Sequence, residues 1–304
     1  MNSKSIGITF SHPHLKHLGL DVDEALKKAL TFKFSHLRLG CYWSEIEIEK
    51  NKYNFEKIEQ FLEKCETSNQ PVILTVGSKA PRWPEFYWPD YLQNKNPHDF
   101  ETRTRIINFI EKTIKKLDHY NCITHWQIEN EPLDPSGPAK LTISAEFLNQ
   151  EIETAKTLTN KNIIINFWGN DFLNRKLFKK TANQKNITIG LDLYPKQFVK
   201  KILGKNLYKG YLGLHQPQNK LIETLKKLDQ PIIITELQAE PWEENEQAYL
   251  AQNPQSISPD QLEKNIADAQ KLPINEIMLW GFEYWLWQAK NGNHSYMELI
   301  KKNL

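Results

Sequence analysis

The sequence predicts an α/β fold, a single (β/α)₈ barrel occupying residues 1–304 as one domain. Eight apolar, β-branched runs recur along the chain, and amphipathic helical stretches fall between them. Strict alternation of the two implies a parallel sheet. The 304 residues suit a barrel of this kind, which typically takes ~250. A doubly wound open sheet shares the alternation, but its dinucleotide fingerprint is missing. The first strand runs into "SHPHLKHLG", with no G-x-G-x-x-G.

Strands are expected at 6–10, 37–43, 72–76, 123–131, 163–168, 187–194, 232–237 and 277–285. Helices are expected near 22–32, 55–68, 101–120, 142–159, 172–184, 218–229, 258–271 and 294–302. Side chains able to cap a free helix N-terminus support several of these. They are Asp21 for the first, Thr142 or Ser144 for the fourth, and Ser258 ahead of Pro259 for the seventh. Asn69-Gln70-Pro71 and Asp229-Gln230-Pro231 stop a helix and lead directly into a strand, because the residue before proline avoids helical backbone.

Composition narrows the function. A net charge of +2 gives no electrostatic case for nucleic acid or an anionic membrane. No apolar run approaches the ~18–20 residues of a membrane span. The cysteines Cys41, Cys65 and Cys122 are odd in number and match no metal spacing, so reduced thiols are expected. The opening "SIGITFSH" reads as a strand rather than a signal peptide, and the expected location is cytoplasmic.

Barrel enzymes act at the C-terminal ends of their strands. Those ends read Ser11-His12, Cys41-Tyr42-Trp43-Ser44-Glu45, Gly77-Ser78-Lys79, Asn130-Glu131, Trp168-Gly169-Asn170, Asp192-Leu193-Tyr194, Glu236 and Trp280-Gly281-Phe282-Glu283. Polar and aromatic residues thus gather at one rim. Two strands, the fourth and the seventh, end in glutamate after an apolar run, in "HWQIENEP" and "IIITELQAEPW". A facing pair of carboxylates suits hydrolysis of a glycosidic bond: one protonates the leaving oxygen, the other attacks or activates water.

On these residues the chain resembles the clan A glycoside hydrolases, the cellulase-like and β-galactosidase-like barrels. Asn130-Glu131-Pro132, Thr235-Glu236, Arg38, Tyr194 and Trp280 carry the resemblance. It implies a retaining enzyme cleaving β-glycosidic bonds without a cofactor or metal. Glu131 would be the acid/base, Glu236 the nucleophile, and Asn130 the partner of the sugar 2-hydroxyl. Arg38 and Tyr194 would hold Glu236 ionised, with Trp280 as the floor of the site. Strand alternation puts Gln127, Glu129 and Glu131 on one face, which leaves Glu129 as a rival for the acid. Many cellulase-like relatives carry a histidine at the end of strand three or beside the acid; here strand three ends in Ser78 and Lys79, with Arg82 beyond. The family within the clan stays open.

Other rim features point to the ligand. The third loop, "PRWPEFYWPDY", is stiffened by three prolines. Trp83 and Trp88 are expected to stack on sugar, with Phe86 and Tyr87 packing the loop onto the barrel. Trp168 and Trp242 are further expected sugar contacts; Trp285 and Trp287 are ambiguous beside Trp242. His12, with His14 and His17 in the first rim loop, is a candidate sugar contact, since no second cluster completes a metal site. The expected partner is a β-linked oligo- or polysaccharide, and the alternative is a carbohydrate-binding barrel with little activity. A phosphate-substrate barrel enzyme is disfavoured because the seventh loop, "QAEPWEENEQ", is acidic and lacks glycine.

Overall fold

Val72–Val76 is buried at every residue, as a strand covered on both faces must be. The same holds for Ile232–Gln238 and Ile187–Leu193. The structure, a computed structural model, describes residues 3–92, 95–168, 186–210, 222–223 and 225–304. Its strands in chain order are β1 (Ser5–Thr9), β2 (Leu37–Gly40), β3 (Val72–Val76), β4 (Ile123–Ile128), β5 (Asn162–Trp168), β6 (Ile187–Leu193), β7 (Gln197–Ile202), β8 (Lys205–Lys209), β9 (Ile232–Gln238) and β10 (Glu276–Trp280). Eight of them close a barrel in the order β1-β10-β9-β6-β5-β4-β3-β2, and β7 pairs with β8 apart from it. The expected (β/α)₈ barrel is therefore present. Parallel registers such as Arg38 beside Ile73 and Glu276 beside Ile233 define its ladders.

The chain divides into two compact units. One gathers Met1–Ser35, Trp168 and Leu191–Leu304; the other gathers His36–Phe167 and residues 186–190. Helices Val22–Thr31, Pro259–Ala269, Phe282–Lys290 and Ser295–Asn303 belong to the first unit, and Glu56–Thr67, Phe100–Leu117 and Ala145–Lys156 to the second. Their packing follows the helical period: Phe100–Leu117 buries Ile106, Phe109, Ile110, Thr113, Ile114 and Leu117 on one stripe. Asp21, Ser144 and Ser258 cap their helices through their side-chain oxygens. The helix expected over 172–184 lies outside the described residues, as does much of the one over 218–229.

Three expected strands are too long. β2 stops at Gly40, and Trp43–Ile46 turns into a short helix. β10 stops at Trp280, because Gly281 takes a φ of 156° and the aromatic run after it is helical. A Cβ at Gly281 would lie 2.5 Å from the Ala239 carbonyl oxygen, so only glycine allows that close approach. β4 stops at Ile128 for the reason given below. The β7–β8 hairpin was not expected; its turn, Leu203-Gly204, uses φ of 46° and 76°, with leucine in place of the usual Asn or Asp.

All three cysteines are buried and free. Burial pushes the Cys65 and Cys122 thiols up to about 12. Among the described residues no helix is long and apolar enough to cross a membrane.

Candidate active site

In the unit that contains β4, the chain leaves the ladder at Glu129. Glu129 and Glu131 have φ of 59° and 41°, the left-handed region that side chains seldom adopt. Strand alternation therefore ends at Ile128, and the expected shared face of Gln127, Glu129 and Glu131 is not formed. Glu129 turns back over Gly77, where a Cβ would come within 2.4 Å of its carboxyl carbon. There it accepts hydrogen bonds from the Ser78 amide (2.8 Å), the Ser78 hydroxyl (3.0 Å) and the Lys79 amide. Glu129 has no exposed surface, whereas Glu131 retains 7%.

Behind Glu129 lies Glu151, on the buried stripe of helix Ala145–Lys156. Burial raises both carboxyls, Glu151 well above the usual value, and the Glu129 charge raises Glu151 further. Glu151 is therefore the carboxyl of the two that keeps its proton, beside a Glu129 carboxylate whose amide donors favour the ionised form. The sign of the pH dependence follows. From its ordinary value of 4.5 upward, the unfolded chain releases this proton while the native state retains it. Glu151 thus stabilises the fold most at acid pH, and its contribution is lost as pH rises through the raised native value. Glu151→Gln supplies an amide donor with no titrating proton. Wild type should lose stability relative to this variant as pH rises above about 5 in urea unfolding; parallel curves would exclude a proton held by Glu151.

Asn130 is oriented from three sides. Its Oδ1 accepts from Arg38 Nη2 (2.6 Å) and from Asn166 Nδ2 (3.0 Å), and its Nδ2 donates to Glu85 Oε2 (3.1 Å). Arg38, fully buried, also donates from Nε to Gln127 Oε1 at 2.7 Å. The Glu131 amide donates to Asn166 Oδ1 at 2.8 Å. Glu85 stands on the third loop, so that loop is tied directly to the Asn-Glu-Pro turn. On it Trp83 is 69% exposed. Trp88, expected to stack on sugar, packs on Phe86 at 5.2 Å and on Trp43 at 5.8 Å between ring centroids and keeps 9% of its surface exposed. Phe86 and Tyr87 are buried too, as expected.

In the other unit, Glu236 lies near the end of β9 and is buried. The Tyr194 hydroxyl donates to its Oε2. Tyr194 stacks on Trp168 with centroids 5.1 Å apart, and Trp242 meets both rings edge-on at 5.1 and 5.6 Å. Trp242 keeps 38% of its surface exposed. Trp285, by contrast, is buried and donates from Nε1 to the Ala239 carbonyl at 2.7 Å. Trp280 closes β10, nearly buried. Next to Glu236, the Thr235 hydroxyl donates to Asp192 at 2.5 Å.

The histidine segment is not a loop. Ser11 caps a six-residue helix, His12–His17, in which His12 is buried. His14 Nε2 lies 3.0 Å from the Tyr249 hydroxyl and His17 Nε2 2.9 Å from Glu246. Asn166, Gln127, Glu85 and Glu151 were missed from sequence. Asn166 and Glu151 had a signal, each being a polar residue inside an otherwise apolar run or stripe.

Residues 40–296 match the model of glycosyl hydrolase family 10. The chain belongs to that family. No curated protein matches it in sequence. Solved structures share its fold at low identity. Xylanase 10B from Thermotoga petrophila, in complex with xylobiose, has 17% identity and a TM-score of 0.63, with 99% of this chain and 94% of that one covered. An endo-β-1,4-xylanase from Gloeophyllum trabeum has 14% identity and a TM-score of 0.60, covering 99% and 96%. A GH5_18 protein from Bifidobacterium longum has 12% identity and a TM-score of 0.65, covering 99% and 79%. Membership of family 10 makes this chain a clan A glycoside hydrolase, a retaining enzyme acting on β-glycosidic bonds in carbohydrate.

Proposed function

We propose that this family 10 enzyme cuts a β-linked oligo- or polysaccharide by double displacement, with Glu236 as nucleophile and Glu131 as acid/base. The observation that carries the reading is the contrast between the carboxylates. Glu236 accepts the Tyr194 hydroxyl on Oε2, a bond that orients the carboxylate. Both oxygens of Glu129, the rival acid, are engaged by Ser78 and Lys79, which supports a structural role for it. Asn130, its Oδ1 held by Arg38 and Asn166, keeps its amide hydrogens for Glu85 and for a sugar hydroxyl. Trp280 is the floor of the cleavage subsite, and Trp168, Trp242 and His12 are its further contacts. Trp88 braces the third loop from beneath. Residues 1–304 act as one catalytic domain, a reading supported by the closed strand order. The free, buried cysteines support a cytoplasmic location.

Substrate length is the test. Trp83 stands exposed on a loop that Glu85 ties to Asn130, so it extends the binding surface beyond one sugar. Binding energy from remote sugar units can be used at the scission point. Two of the similar structures are xylanases, which makes β-1,4-xylan the first polymer to assay. Trp83→Ala should lower kcat/KM on the polymer by roughly 10-fold, the value of one stacked ring, and leave a small aryl glycoside within about 2-fold. Equal losses on both would make the loop a structural prop and the substrate a simple glycoside.

A further inference from the structure

Glu131 cannot keep its conformation on its own, because a φ of 41° is unfavourable for glutamate. Such backbone persists only where its surroundings over-determine it. The residue that does most to fix it is Lys79, which follows β3 and has no exposed surface. Its Nζ donates to the Glu131 carbonyl at 2.6 Å and to the Asp134 carbonyl at 3.0 Å. Its own amide holds the Glu129 carboxylate. One residue thus grips the turn at Glu129, at Glu131 and at Asp134. The Asp134 amide adds a weaker bond to the Glu131 carbonyl at 3.1 Å. On the other side of Glu131, its amide is bound to Asn166 at 2.8 Å. Both peptide planes that flank the Glu131 Cα are therefore anchored, and with them the direction in which its side chain leaves the backbone.

We propose that Lys79 is a positioning residue for the acid/base, fixing Glu131 through its carbonyl oxygen. The assignment rests on Glu131 being the acid. A buried ammonium is costly unless it is hydrogen-bonded, and two main-chain carbonyls at this turn accept two of its three N–H donors.

The test compares phenyl and 2,4-dinitrophenyl β-xylobioside, or the β-cellobioside pair if xylan is not cut. The phenyl leaving group needs a well-placed proton and dinitrophenolate does not. For Lys79→Met, kcat/KM on the phenyl substrate should fall by about 10²-fold, the low end of what general acid catalysis supplies. On the dinitrophenyl substrate it should change by less than about 3-fold. The ratio is independent of the fraction of folded protein, and Lys79→Gln gives the same reading if the methionine variant does not fold. Equal losses on the two substrates overturn the proposal and leave Lys79 a structural residue. Glu131→Ala, assayed in parallel, separates the two claims. If it discriminates between the substrates and the Lys79 variants do not, only the positioning role fails. If Glu131→Ala itself does not discriminate, the acid assignment falls and the Lys79 role with it.

Discussion

Glu236→Ala should be close to inert, with kcat reduced by roughly 10⁴–10⁶-fold, the scale on which loss of a covalent nucleophile is felt elsewhere. The reason is that both steps of double displacement pass through a bond to this carboxylate. Azide should restore turnover of an activated aryl β-glycoside, because the space vacated by the carboxylate admits a small anion to the same carbon. The product should be the α-glycosyl azide, since one displacement inverts where two retain. Tyr194→Phe should give a milder, related effect. It removes the hydroxyl that donates to Glu236 but leaves the carboxylate in place. A Glu236→Ala enzyme with ordinary activity would remove Glu236 from the chemistry.

Glu131→Ala should give the second large effect, and one that depends on substrate. With a poor leaving group, kcat/KM should fall by about 10²–10⁴-fold, the range of general acid catalysis. With dinitrophenolate as leaving group it should fall little, while kcat drops because the glycosyl-enzyme waits for a general base. The alkaline limb of the pH profile should vanish with the carboxyl that titrates there. Glu129→Gln should behave differently. It weakens the acceptor of three hydrogen bonds at the turn, so its loss should appear in stability and be shared equally by all leaving groups. A Glu129→Gln enzyme with a leaving-group dependence, beside a Glu131→Gln enzyme without one, would exchange the two roles.

The barrel was legible because its strands are buried on both faces and therefore read as unbroken apolar runs, as in Val72–Val76 and Ile232–Gln238. The glutamates at the ends of β4 and β9 were legible for the converse reason: charge after such a run needs a cleft or a partner. The choice between Glu129 and Glu131 was not. It depends on two left-handed residues and on a carboxylate seated over Gly77, and neither is encoded in periodicity. Asn166 was hidden inside the aliphatic strand 162–168, and Lys79 stood out only as a departure from the histidine of related enzymes. Trp83 and Trp88 look alike in sequence. Five residues apart on one loop, one is exposed and the other packs on Phe86 and Trp43, a difference set by tertiary contacts. The Leu203-Gly204 hairpin escaped because leucine at positive φ breaks the usual turn chemistry.

Trapping the covalent intermediate decides whether Glu236 is the nucleophile. A 2,4-dinitrophenyl 2-deoxy-2-fluoro-β-xylobioside, or its cellobioside counterpart, should inactivate the enzyme with one sugar attached, because fluorine slows hydrolysis of the intermediate more than it matters to an activated leaving group. Peptide mass spectrometry should then find the sugar on Glu236. A label on Glu131, Asp192 or any other residue, or turnover of the natural linkage with inversion and no label, would exclude Glu236 as the nucleophile.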